Sequence, residues 1–122
     1  MHELSIAGAV LDSVLQRAAG QPVRRVHLQV GHLRQVVPSA LEFSWQVITR
    51  GTPAEDAALE IEPLVTKIRC VTCDVASEPT AFPLQCPACG AFNVTVLQGD
   101  ELLIEWFDVV EAESKSEVGQ WQ

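Results

Sequence analysis

Two groups of residues in this chain have the types and the spacing to hold metal ions. Cys70-Val71-Thr72-Cys73 and Cys86-Pro87-Ala88-Cys89 are C-x-x-C knuckles separated by 12 residues, and they contain all 4 cysteines of the chain. Two thiolates on a tight turn meet one ion, and two such turns complete a tetrahedron with Zn–S distances of about 2.3 Å. With four thiolates a zinc ion keeps no open position, so its expected role is to fold the module rather than to activate water. A redox dithiol and a rubredoxin-like iron site compete with this reading. Cys86-Pro87-Ala88-Cys89-Gly90 looks like half of a rubredoxin motif, but the first knuckle lacks the flanking glycine and aromatic residues.

The second group is Met1-His2-Glu3. A terminal amine, the amide nitrogen of His2 and its imidazole can chelate one ion in a plane, and Glu3 or its backbone can fill the fourth corner. Square-planar nitrogen and oxygen donors suit Ni(II) or Cu(II) rather than zinc. On these residues alone, a histidine at an exposed terminus is more readily an accident of sequence than a site.

Other candidates are weaker. His27 falls on the polar side of a strand pattern and is expected in solvent. His32 follows Gly31 in a loop from which it can reach a metal, and Glu42, near the start of a helix pattern, can serve as an outer carboxylate. The serines have no recognisable His–Asp partners and there is no glycine-rich phosphate loop, so no catalytic role is expected.

The elements that position these residues follow from periodicity. Leu4, Ala7, Leu11, Val14, Leu15 and Ala18 share one helical face over 4–19, with Glu3 favouring its start and Gly20 and Pro22 its stop. A cation at the positive end of that helix is disfavoured unless Glu3 and a deprotonated amide offset it. Val26, Leu28 and Val30 alternate with polar residues as a half-buried strand over 23–30. The stretch 31–37 reads as a loop. Pro38 opens a second helix over 38–50, with Leu41, Trp45 and Ile48 inward. A strand with Leu59 and Ile61 inward is interrupted by Pro63, which implies an edge or a bulge. The run 101–110 is apolar on both faces and predicts a central or covered strand. The fold class expected is α+β: a small three-stranded sheet covered by two helices, with an inserted tetracysteine, zinc-ribbon-like module. Residues 1–66 with 99–112 would form one domain, 67–98 the zinc module, and 113–122 a frayed acidic tail. The long excursion between strands would also permit a swapped dimer.

Bulk properties narrow the function. With 8 basic and 16 acidic residues the formal net charge is −8, and no Lys or Arg lies between Cys70 and Cys89, which removes the usual nucleic-acid footprint. No stretch approaches the roughly 18 uninterrupted apolar residues of a membrane span, and the start lacks a signal-peptide pattern. A cytoplasmic chain with reduced thiols is expected.

The combination of Met1-His2-Glu3-Leu4-Ser5, Gly31, Val37-Pro38, Arg50-Gly51-Thr52, the two knuckles and Gly99-Asp100-Glu101-Leu102 resembles the HypA/HybF family of hydrogenase-maturation nickel metallochaperones. The resemblance implies a nickel site with His2 as essential ligand and Glu3 and the N-terminal backbone beside it. It also implies structural zinc on Cys70, Cys73, Cys86 and Cys89. It implies delivery of Ni(II) to the large subunit of [NiFe]-hydrogenase together with the GTPase HypB, and for some members a role with urease maturation proteins. A zinc-ribbon adaptor that docks on a protein complex and carries no nickel is the other reading these residues allow.

Overall fold

The computed structural model describes residues 2–110; the acidic tail and Met1 lie outside the described residues. The chain folds as α1 (His2–Ala18), β1 (Val23–Gly31), a 3-10 turn (His32–Arg34), α2 (Pro38–Ile48), β2 (Ala58–Leu64), β3 (Lys67–Cys70), β4 (Ala76–Ser77), β5 (Val94–Gln98) and β6 (Leu102–Val109). One sheet has the order β2-β1-β6 and a second the order β4-β3-β5. This is the α+β architecture expected, two helices with a three-stranded sheet and a tetracysteine module inserted before its last strand.

Helix α1 begins at His2 rather than Leu4, so His2 and Glu3 lie inside the helix. Its buried stripe is Ile6, Ala7, Val10, Leu11, Val14 and Ala18. Leu4, expected inward, is 48% exposed. The helix carries more apolar residues than one stripe can hold, and packing against α2 selects which of them is buried. Ala19 and Gly20 then take left-handed conformations, φ 53° and 88°, and stop the helix.

Helix α2 starts as Pro38 requires and ends at Ile48, two residues short of the expected 50. Leu41 and Trp45 are buried, whereas Ile48 is only half-buried. The Trp45 indole N–H donates to the Ala57 carbonyl at 3.0 Å, which satisfies its one polar atom inside the core.

In the first sheet β1 is central, and it buries Val23, Val26, Leu28 and Val30. Strand β2 is an edge, where the missing N–H of Pro63 breaks no ladder. Strand β6 is the other edge, which corrects the expectation of a central or covered strand. Three strands leave one central place, β1 holds it, and β6 leaves Leu103 and Trp106 exposed. In the second sheet β3 pairs antiparallel with β4 and with β5, placing Cys70 opposite Val94 and Arg69 opposite Ala76 and Thr95. Neither β4 nor β5 was foreseen from the sequence.

By compactness the described chain forms two units, residues 2–27, 37–60 and 104–110 in one, Leu28–Val36 and Ile61–Leu103 in the other. The second sheet alone spans 67–98, so the second unit is wider than the cysteine module. The reason is a tight backbone crossing. The Gly31 N–H donates to the Glu101 carbonyl at 2.8 Å and the Leu33 N–H to the Gly99 carbonyl at 2.8 Å. A Cβ built on Gly31 would run into the Gly99 carbonyl and the Asp100 nitrogen. Since the obstruction is backbone on both counts, Gly31→Ala is expected to lower stability by about 1–3 kcal/mol, the usual cost of overpacking. A lower urea midpoint with unchanged slope is the corresponding measurement.

Candidate metal centres

The two knuckles are built alike. Cys70 ends β3, and its N–H donates to the Val75 carbonyl while its carbonyl accepts from the Asp74 N–H, both at 3.0 Å. The second knuckle repeats this: the Cys86 N–H donates to the Ala91 carbonyl at 2.8 Å, and the Gly90 N–H returns to the Cys86 carbonyl at 2.9 Å. Asp74 and Gly90 occupy the same place in the two turns, with φ of 65° and 80°. Asp and Gly are residues that accept this left-handed conformation. A further bond, from the Val71 N–H to the Asn93 carbonyl at 3.0 Å, runs from the first knuckle to the chain beyond the second.

These turns bring the sulfurs of Cys70, Cys73, Cys86 and Cys89 within 4.8 Å of one another. The Cys70–Cys89 and Cys73–Cys86 sulfur pairs are each 3.6 Å apart. A tetrahedron with Zn–S bonds of about 2.3 Å has edges of about 3.8 Å, so the sulfurs already stand near the corners zinc would require. Cys70 and Cys86 are buried, Cys73 and Cys89 exposed.

Acidity alternates around the set. The Cys73 backbone N–H brings the Cys70 thiol down to about 6. The Cys89 backbone N–H likewise lowers Cys86. At Cys73 the Val75 backbone N–H pulls downward, but burial and the sulfurs of Cys86, Cys89 and Cys70 outweigh it and push the thiol up to about 12. At Cys89 the Ala91 N–H is similarly outweighed by the Cys70 sulfur and burial, and its thiol rises. Four negative sulfurs at this spacing repel one another, so one thiol per knuckle keeps its proton until a dication displaces it.

At the other candidate site, His2 is the first residue of α1 and is exposed. Met1, the third member of that group, lies outside the described residues. Glu3 is half-buried, and its Oε2 accepts from the Val37 N–H at 3.0 Å. Val37 is the N-cap of α2 and offers no side-chain cap of its own, so Glu3 supplies a carboxylate to that helix start. The Val37 N–H, foremost, holds the Glu3 carboxyl below its ordinary 4.5. A depressed folded-state value means stabilisation present above 4.5 and lost as pH falls through the folded value. Metal-free Glu3→Gln is therefore expected to melt below the parent at pH 7 and to approach it in acid. Thermal melts across that range read the narrowing gap.

The remaining histidines separate. His27 is not in open solvent as expected: its side chain is 21% exposed and contacts Glu60 and Glu105. The cause is non-local, since both carboxylates come from other strands. His32 heads the 3-10 turn and lines a cavity of about 100 Å³ with Leu33, Thr66 and Phe82. Glu42 is exposed on α2. What sequence reasoning missed near His2 was Val37, whose contribution is a backbone N–H and so leaves no side-chain signal.

The family model described as "Hydrogenase/urease nickel incorporation, metallochaperone, hypA" matches residues 1–109. The chain belongs to the HypA family. The matched stretch includes Met1-His2-Glu3 and all four cysteines. Among HypA relatives, the hydrogenase maturation factor of Geotalea uraniireducens is 40% identical over 109 residues, 89% of this chain and 99% of that protein. That of Geobacter metallireducens is 37% identical over the same shares. The solution structure of the nickel metallochaperone HypA from Helicobacter pylori shares the fold, with a TM-score of 0.63 at 20% identity, over 90% of this chain and 98% of that one. No helix among the described residues is long and apolar enough to cross a membrane.

Proposed function

We propose that this HypA-family chain carries Ni(II) as cargo at its N-terminus and holds zinc for structure. The observation that carries the reading is the contrast between two unlike donor sets in one family member. The sulfurs of Cys70 and Cys86 are inaccessible, and four thiolates around one ion leave no position for an incoming ligand. Such a site keeps its metal. His2 is exposed at a helix start, where deprotonating an amide breaks no helical i→i−4 bond. A chelate of the Met1 amine, the His2 amide and imidazole, and Glu3 has an open flank and can surrender its ion. A carrier needs the second kind.

In this reading the zinc ion, held by Cys70, Cys73, Cys86 and Cys89, supplies folding energy to residues 67–98. The anchored Glu3 keeps the first turn of α1 beside the start of α2, so the nickel donors are pre-arranged. The recipient is the large subunit of [NiFe]-hydrogenase, reached with the GTPase HypB in the cytoplasm, and urease maturation proteins are the second destination. The chain acts as a carrier and not as an enzyme. Calorimetric titration of Ni(II) into the zinc-loaded chain with a free Met1 amine tests the proposal. One equivalent is expected to bind in a high-affinity step, and one added residue ahead of Met1 is expected to remove that step. Equal affinity with and without the extension would overturn the N-terminal chelate.

A further inference from the structure

His27 occupies an environment that a neutral imidazole cannot satisfy. Its Nδ1 lies 3.2 Å from Oε1 of Glu60 and its Nε2 lies 3.3 Å from Oε1 of Glu105. The ring is stacked on Trp106, with centroids 5.2 Å apart and planes 13° from parallel. A neutral imidazole donates through one nitrogen and presents a lone pair on the other. With a carboxylate oxygen at both, one lone pair must face a negative oxygen unless a cation stands between them.

The two sides of the ring are not equivalent. Glu60 also faces Arg25, at 3.7 Å, and Arg25 reaches Asp108 at 3.2 Å while lying over the Trp106 ring. Glu60 is thus held in place by a fixed positive charge, and it is suited to fix the Nδ1–H tautomer. That leaves the Nε2 lone pair directed toward Glu105, whose side chain is 45% exposed and open to water. A carboxylate that orients a histidine whose other nitrogen binds an ion is the recurring outer-ligand arrangement of metal sites. The 3.3 Å separation of Nε2 and the Glu105 oxygen also fits. Two ligands about 2.1 Å from one ion, at angles between octahedral and tetrahedral, stand about 3.0–3.4 Å apart.

We infer that His27 Nε2, Glu105 and Glu62, whose ligand atoms lie within 4.8 Å of one another, form a second site for a divalent transition metal on the β2-β1-β6 sheet, with Glu60 orienting the ring and water completing the coordination. The donor set of one imidazole and two carboxylates suits Ni(II), Zn(II) or Cu(II). Its ligands are separate side chains rather than one chelating segment, so it is weaker than a terminal chelate and exchanges faster. The site needs neither the N-terminus nor the knuckles, so it stands whether or not nickel delivery by His2 does.

Trp106 makes the site observable, because a paramagnetic ion on the stacked imidazole quenches its fluorescence. The experiment titrates Ni(II) into the zinc-loaded full chain carrying His2→Ala, following tryptophan emission and the imidazole ¹⁵N resonances. Saturable quenching at one equivalent, with a shift of His27 Nε2, is expected. It should vanish in His27→Gln and weaken at least about 10-fold in Glu105→Gln. In Glu60→Gln, which removes only the orienting group, a loss of about 10- to 100-fold is expected. Trp106→Phe should lose the quenching and keep the ¹⁵N shift. Glu105→Gln alters an exposed side chain, so it remains informative if His27→Gln does not fold. A His27 ring that is doubly protonated at pH 7.5 and unmoved by Ni(II) would overturn the inference, because a proton would then be the cation. Quenching that survives His27→Gln would overturn it as well.

Discussion

Replacing His2 by alanine is expected to remove stoichiometric, high-affinity Ni(II) binding and to leave zinc content and fold as they are. The imidazole is the one side-chain nitrogen of the N-terminal group, and without it the chelate loses a ring and its in-plane donor. Even partners outside a ligand set move metal affinity about 10- to 100-fold, so loss of the ligand itself should exceed about 100-fold. The structural cost is small because His2 is exposed at the first position of α1 and the buried stripe begins at Ile6. An exposed substitution of this kind stays within about 0.5 kcal/mol. Calorimetry for nickel, elemental analysis for zinc and a thermal melt read the three quantities separately. Unchanged nickel affinity at the high-affinity step in His2→Ala would sink the carrier reading, whatever occurs at His27.

Cys86→Ser has the opposite signature. Between Lys67 and Gln98 the buried side chains are Ile68, Cys70 and Cys86, and two of those three are sulfur donors. Such a segment has almost no apolar core from which to draw stability. Structural zinc contributes about 10–16 kcal/mol in small metal-dependent modules, more than the 5–15 kcal/mol by which most whole domains are stable can spare. Removing one thiolate is therefore expected to empty the site and collapse the amide dispersion of residues 67–98. The buried indole of Trp45, in the other compact unit, should keep its native resonance. Prolonged chelation should reproduce this in the parent. Acid should do so too, because protons compete with the metal for all four sulfurs. A Cys86→Ser chain that keeps its zinc and the dispersion of 67–98 would show the sulfurs to be dispensable.

The four-sulfur cluster was legible from the chain for a local reason. A C-x-x-C turn contains both of its ligands and most of its own hydrogen bonds within a few residues, as the matching bonds of Cys70–Val75 and Cys86–Ala91 show. Met1-His2-Glu3 is local in the same sense. Pro63 pointed to an edge strand or a bulge, because a missing N–H has the same consequence anywhere in a sheet. The α+β class followed from periodicity, which depends on neighbours three, four or two residues away.

What failed were statements that depend on distant partners. Whether β6 is central is decided by how many strands the sheet has, and its own apolar residues do not contain that number. Which third of α1 is buried is decided by α2. The environment of His27 is set by Glu60, 33 residues away, and by Glu105 on another strand. Period-two alternation could place His27 on the polar face and no further. Glu3 is tied down by the amide of Val37, 34 residues away, and a backbone donor has no residue type to read.

The sequence by itself thus determined the donor types, the grouping of the four cysteines and the two helices, because each depends on short-range geometry. The tertiary structure alone decided that Glu3 is anchored to the start of α2, that Gly31 and Gly99 cross in backbone contact, and that His27 sits between two carboxylates. Those are pairings of residues far apart in the chain, and only the folded backbone brings them within bonding distance.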